Sequence, residues 1–133
     1  MGVGPPSGIV RAAMTADELR AACLALPGAR EERPFSRAPD LTTFKVGGKV
    51  FALSRLESRS ESLRVSLKCE PEVAVGLRAE HPAILPGYHL DKRHWNTVML
   101  DGSLPDRMVL EMIEDSYDLV FARLPKARQA EIR

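Results

Sequence analysis

Membrane-length apolar runs, clustered cysteines, a dominant charge and abundant aromatics are all missing here, and each absence closes off a class of function. The opening residues, MGVGPPSGIVRAAM, hold glycine, proline and small side chains without the apolar run of a signal peptide or membrane span. A cytoplasmic protein with no membrane partner is therefore expected, and residues 1–14 read as a disordered leader. Only two cysteines occur, Cys23 and Cys69, far apart and each inside an apolar pattern. That argues against a disulfide framework and against the close pairs of zinc or redox sites, so both are expected to be free, buried thiols. Lys and Arg total 19 against 18 acids, a net charge of +1, so any contact with a polyanion must rest on a local patch rather than a global field. Nor does a repeat or a low-complexity tract appear beyond the leader.

What is present suffices for one core. At 133 residues and 44% hydrophobic, the chain fits a single domain and is short for two. Its body is read as residues 15–126, followed by a polar tail at 127–133 expected to form a last helical turn or two that frays. Thr15-Ala16-Asp17-Glu18 is a capping box, in which the Thr15 hydroxyl and the Glu18 carboxylate satisfy each other's backbone N–H. Leu19, Ala22, Cys23 and Leu26 then recur at helical spacing until Pro27-Gly28 ends the helix. Residues 41–46 and 49–55 flank Gly47-Gly48, a strong hairpin signal, and a short edge strand is expected earlier, at 33–35. Residues 63–69 alternate strictly, which sends Leu63, Val65, Leu67 and Cys69 inward and Arg64, Ser66 and Lys68 outward onto a wet, cationic sheet face.

Glu70-Pro71-Glu72 opens a short helix expected to bury Val73, Ala74 and Leu77 before His81-Pro82 stops it. Ser103-Leu104-Pro105-Asp106 reads as the capped start of a long helix. Its apolar stripe runs through Val109, Met112, Ile113, Ser116, Val120 and Leu124. Strands and helices do not alternate, so the expectation is an α+β fold. It is a single two-layer domain with an antiparallel sheet packed on one face by helices, in the order α-β(3)-α-β(2)-α.

Residues 85–100, LPGYHLDKRHWNTVML, concentrate the scarce chemistry: the only Trp, one of the two Tyr and two of the three His. A Pro-Gly turn leads through Tyr88 to the Lys92-Arg93 pair and then into a strand. Trp95, Thr97 and Met99 share one face of that strand, with His94, Asn96 and Val98 on the other. Trp95 is read as a core residue anchoring this strand against the long helix, and the preceding loop as a binding lip. Lys45, Lys49, Arg64, Lys68, Lys92 and Arg93 are expected to converge on the wet face and this lip. Tyr88, His94 and Asn96 add a ring and hydrogen-bonding groups of the kind that position a phosphate backbone.

Catalytic and metal readings fare worse. His81, His89, His94 and Cys69 match no zinc-ligand spacing. Ser116 lies on an apolar stripe without a histidine at helical spacing, and Gly47-Gly48 lacks the Lys-Ser or Lys-Thr pair of a phosphate-cradling loop. The chain is not expected to be an enzyme, and no cofactor is expected.

Five ordered motifs resemble the signatures of the MmcQ/YjbR family. They are Leu26-Pro27-Gly28; Gly48-Lys49-Val50-Phe51-Ala52; Leu67-Lys68-Cys69 with Pro71-Glu72; Gly87-Tyr88-His89-Leu90 running into Lys92-Arg93-His94-Trp95; and Ser116-Tyr117-Asp118-Leu119-Val120. The resemblance spans residues 14–126. It implies a CyaY-like fold with a double-wing arrangement and a DNA-binding role. The frataxin-like iron chemistry of that fold does not carry over, because only Asp17 and Glu18 supply carboxylates on the first helix, and Glu18 is used in the cap. DNA is thus the expected partner. A protein-interaction module anchored by Tyr88, Arg93 and Trp95 is the alternative, and a small-ligand pocket comes third.

Overall fold

A computed structural model describes residues 13–58 and 62–133. Helix α1 (Ala16–Leu24) opens on the capping box, with Thr15 N–H donating to Glu18 Oε1 at 2.9 Å and Glu18 N–H to Thr15 Oγ1 at 3.1 Å. Strands β1 (Arg30–Glu32), β2 (Thr42–Val46), β3 (Lys49–Ser54) and β4 (Arg64–Lys68) precede helix α2 (Pro71–Glu80). Then come β5 (Ile84–Pro86), β6 (Trp95–Met99), helix α3 (Asp106–Ala122) and helix α4 (Lys126–Ile132). All six strands form one antiparallel sheet in the order β1-β2-β3-β4-β6-β5. The fold is α+β, and long α3 lies across β2, β3 and β4.

Local chemistry explains most of these elements. Gly47 and Gly48 both take positive φ, 57° and 82°, as a two-residue hairpin turn requires. One irregularity sits beside them: Phe44 pairs with Ala52 but Lys45 with Val50, so Phe51 is an extra residue in β3. This bulge turns Phe51 toward the helices, where it is fully buried and meets the Tyr117 ring edge-on at 5.4 Å. Ser116 is also at the centre of the core. Its hydroxyl donates to Phe51 O at 2.6 Å and accepts from Lys68 N–H at 2.8 Å, pinning α3 to β3 and β4 at once. Tyr117 reaches a polar group at the sheet's end, its hydroxyl donating to Pro27 O.

Several expectations are corrected. The edge strand forms at Arg30–Glu32 rather than 33–35, giving four strands before α2. There its residues pair with Thr43, Phe44 and Lys45, ahead of the prolines at 34 and 39, which cannot donate to a ladder. Helix α3 starts at Asp106 without a side-chain cap, because Ser103 bonds Asp101 instead. Val73 is 54% exposed, leaving Ala74 as the buried residue of α2. Of the leader, residues 1–12 lie outside the described residues, while Met14 is buried in the core. The tail is the helix α4, with Ile132 packed against the core. Both thiols are free, but only Cys23 is buried; Cys69 is half-exposed at the end of β4, where the core opens between α2 and α3.

Trp95 is the largest correction. It pairs with Lys68, as Thr97 pairs with Ser66 and Met99 with Arg64. Residues directly opposite in a ladder share a face, and Val65 and Leu67, buried in the core, occupy the other one. Trp95 therefore lies on the face opposite α3, half-buried against Gly87. The alternation placed it beside Thr97 and Met99, and the ladder register decides that this is the face away from the long helix.

Candidate functional site

The sheet face away from α3 carries the lip. The 87–94 loop folds back over this face, and three hydrogen bonds hold it there: Gly87 N–H to Trp95 O at 2.9 Å, Tyr88 N–H to Thr97 Oγ1 at 3.0 Å, and Lys92 Nζ to Gly87 O at 3.0 Å. A glycine is required at 87, since a Cβ there would meet Trp95 Cβ at 2.7 Å and Trp95 O at 2.9 Å. Asp91 organises the turn, accepting from Arg93 N–H at 3.0 Å and lying 2.7 Å from His94 Nδ1. The bond to His94, then the Arg93 N–H, hold its carboxyl below the usual carboxylate range. Because the loop covers them, Ser66 and Thr97 are only 9% and 1% exposed, and this strip is drier than the alternation implied.

The cations divide into three sets. Lys45 is neutralised by Glu32 Oε1 at 2.8 Å, and Lys92 is committed to the Gly87 carbonyl. The side chains of Lys49, Lys68 and Arg93 form no ion pair among the described residues, although the charge of Arg93 is felt by Asp91. The topology gathers these three at one end of the sheet, where β3 begins, β4 ends and β6 is about to begin. Cys69 N–H donating to His94 O at 2.7 Å ties the last two together. Arg64 stands at the opposite end of β4, inside a cleft lined also by Phe35, Leu41, Leu53, Tyr88 and Leu90.

Asn96 does not join the face. It alternates with Trp95 and Thr97, is 2% exposed on the helix side, and accepts from Arg78 Nη1 at 2.8 Å. Nothing in the sequence ties Arg78 to this site, and from the sequence reversing its charge is expected to change little. The same Nη1 donates to Lys92 O at 3.0 Å, so α2 supports the lip from behind. Phe35 was missed too. An aromatic in a charged, proline-rich turn was its only signal, and it is 46% exposed at the cleft mouth.

Among the described residues, no three His, Cys, Asp or Glu side chains are grouped to hold a metal ion, and no helix is long and apolar enough to cross a membrane. The Cys69 thiol is pushed up by burial and then by the Asp115 and Glu70 carboxylates, which keeps it protonated at neutral pH. Ser116 has its hydroxyl committed to two backbone partners.

The YjbR family model matches residues 24–119. The chain belongs to the YjbR family. YjbR of Escherichia coli (strain K12) is 39% identical over 117 residues, covering 87% of this chain and 95% of that protein. YyaQ of Bacillus subtilis (strain 168) is 39% identical over 64 residues, 48% of this chain and 53% of its own length. Among solved structures, the Deinococcus radiodurans protein DR2400, a DUF419 domain, superposes with a TM-score of 0.81 at 40% identity, covering 90% of this chain and 88% of that one. A Pseudomonas syringae protein gives 0.61 at 30% identity, covering 69% and 86% respectively. The YjbR motifs fall on the elements that build the core and the lip. Ser116 and Tyr117 sit in α3, Gly48 to Ala52 in the turn and bulge of β3, and Gly87 to Trp95 in the loop over the sheet.

Proposed function

We propose that this YjbR protein contacts nucleic-acid backbone weakly and without strong sequence preference, through Lys49, Lys68 and Arg93 at one end of its sheet. The carrying observation is their convergence there with no side-chain ion pair among the described residues. Backbone contact needs cations at surface positions and no base-specific side chains. A net charge of +1 keeps such binding local and salt-sensitive. The reading contains no catalytic step, and a cytoplasmic setting accords with it. The exposure of Tyr88, at 62%, favours the alternative of a protein-interaction surface, because an exposed aromatic ring is a typical anchor.

A labelled duplex and a labelled single strand, titrated across a salt series, separate the two readings. With about three phosphates neutralised, log K for the duplex should fall against log salt with a slope near −3, and the dissociation constant should lie near ~10⁻⁴–10⁻⁶ M. Reversing Lys68 and Arg93 to Glu should weaken binding and flatten the slope. Arg78 would be a poor control, since it supports the lip; Arg107, an exposed residue of α3 bonded among the described residues only to Glu111 four residues on, is the proper one. No binding at low salt, or equal loss in Arg107→Glu, would leave the protein-interaction reading.

A further inference from the structure

The cleft around Arg64 is built differently from the cationic end of the sheet. It encloses about 260 Å³ between two walls, Phe35 and Leu41 from the segment after β1 and Tyr88, His89 and Leu90 from the lip, above a floor of Leu53, Arg64 and Ser66. The lip wall is set in advance. The hydrogen bonds of Gly87, Tyr88 and Lys92 anchor it. His89 holds a left-handed backbone, φ 59°, with its ring 4.0 Å from that of Tyr88. Strained backbone of this kind persists where the surroundings over-determine it, commonly at ligand clamps.

The two serines and Arg55 of the cleft are spoken for. Ser54 Oγ donates to Arg64 O at 2.6 Å, Ser66 Oγ pairs with Thr97 Oγ1 at 2.9 Å, and Arg55 is bonded to Asp40 at 2.6 Å. The Tyr88 hydroxyl and the His89 ring, on the lip wall, have no hydrogen bond among the described residues, and the charged group left over is the Arg64 guanidinium. Among the described residues it has no ion pair or hydrogen bond, and its Nε is shut off from solvent with no partner. Shielded donors are nearly always satisfied, and a charged one left unmade is expensive. A carboxylate matches a guanidinium fork with two parallel hydrogen bonds. The remaining lining, Phe35, Leu41, Leu53 and Leu90 with the Tyr88 ring, offers an apolar body nothing but dispersion and desolvation.

We infer that this cleft binds a small monocarboxylate with a compact apolar or aromatic body, its carboxylate on Arg64 and its body between Phe35 and Tyr88. The volume sits just under the ~300 Å³ at which ligand pockets usually begin, which limits the body to about the size of a single ring with a short chain. Arg55 is paired with Asp40, so one unpaired guanidinium among largely apolar walls matches one negative charge. A bare phosphate would leave the apolar walls uncovered.

The test uses 3-phenylpropionate, its uncharged amide and inorganic phosphate, each titrated into the 133-residue chain while backbone amide shifts are followed by NMR. The acid should shift Leu53, Ser66, Tyr88 and His89 with a dissociation constant of about 1 mM or tighter. It should bind roughly tenfold more tightly than the amide, as a charge-assisted pair requires. Arg64→Met, which keeps the apolar stem, should abolish that preference, and Leu53→Phe should block the cleft with Arg64 intact. The reversal of Lys68 and Arg93 should leave acid binding unchanged, so this inference and the nucleic-acid reading fail separately. Equal affinity for acid and amide, phosphate binding as tight as the acid, shifts confined to other residues, or no shift at about 10 mM ligand would each overturn the assignment.

Discussion

Single residues decide the character of the interior and of the lip. Ser116 looks like an interruption of an apolar stripe, yet it satisfies a buried backbone carbonyl and N–H on adjacent strands, so removing it orphans both. Cys23 is held neutral by its surroundings. Burial, and then the Glu31 carboxylate, push its thiol from 9.0 up to about 12. The raised value sets the sign of the pH dependence: below pH 9.0 both states keep the proton and the full contribution is present. Above it the unfolded chain ionises first, so stability should fall from about pH 9.0 to about 12. Urea midpoints of wild type and Cys23→Ala across that range are the check. The wild-type advantage should shrink as pH rises, and a constant difference would show that the thiol ionises equally in both states.

At the level of elements, the pairing of β4 with β6 controls the face on which each side chain appears. Trp95 opposes Lys68 and packs on Gly87 rather than on α3, so Trp95→Ala should cost about 1–2 kcal/mol, below the ~3–5 kcal/mol of a fully buried aromatic. Urea unfolding followed by far-ultraviolet circular dichroism measures this. A loss above about 3 kcal/mol would mean that Trp95 is packed as a core residue. The β3 bulge acts in the same way: one extra residue carries Phe51 to the Tyr117 ring while Lys45 keeps its pairing with Val50.

Over the whole molecule, α4 closes the end of the core that the hairpin turn and α1 leave open. Ile132 packs at Gly28, and the Arg133 guanidinium lies 4.0 Å from the Phe121 ring centroid and 5.2 Å from that of Tyr117. Gln129 Nε2 donates to Leu124 O at 2.8 Å, satisfying a carbonyl just past the end of α3. Deleting residues 126–133 should therefore lower stability by about 1–3 kcal/mol, through lost apolar burial and the cation–π contact. Thermal unfolding should show a reduced Tm with a single cooperative transition. An unchanged Tm would mean that α4 rests on the domain without stabilising it.

Local signals were sufficient for much of this architecture. The Thr15–Glu18 box, the Gly47-Gly48 turn, the alternation through Arg64 to Lys68 and the stripe of α3 each state their element through backbone chemistry within a few residues. The family followed from motifs in order along the chain. The site was legible only in part: Lys49, Lys68 and Arg93 were picked out as outward cations, and the Tyr88 loop as a lip. Their neighbours were not legible, because partners distant in sequence set them. Lys45 is neutralised by Glu32, Asn96 turns inward to Arg78, and Lys92 ties its own loop. Arg64 is left unpartnered within a cleft whose far wall, Phe35, comes from a segment almost thirty residues earlier. Periodicity tells which side chains share a face, but strand register and loop closure determine what covers that face.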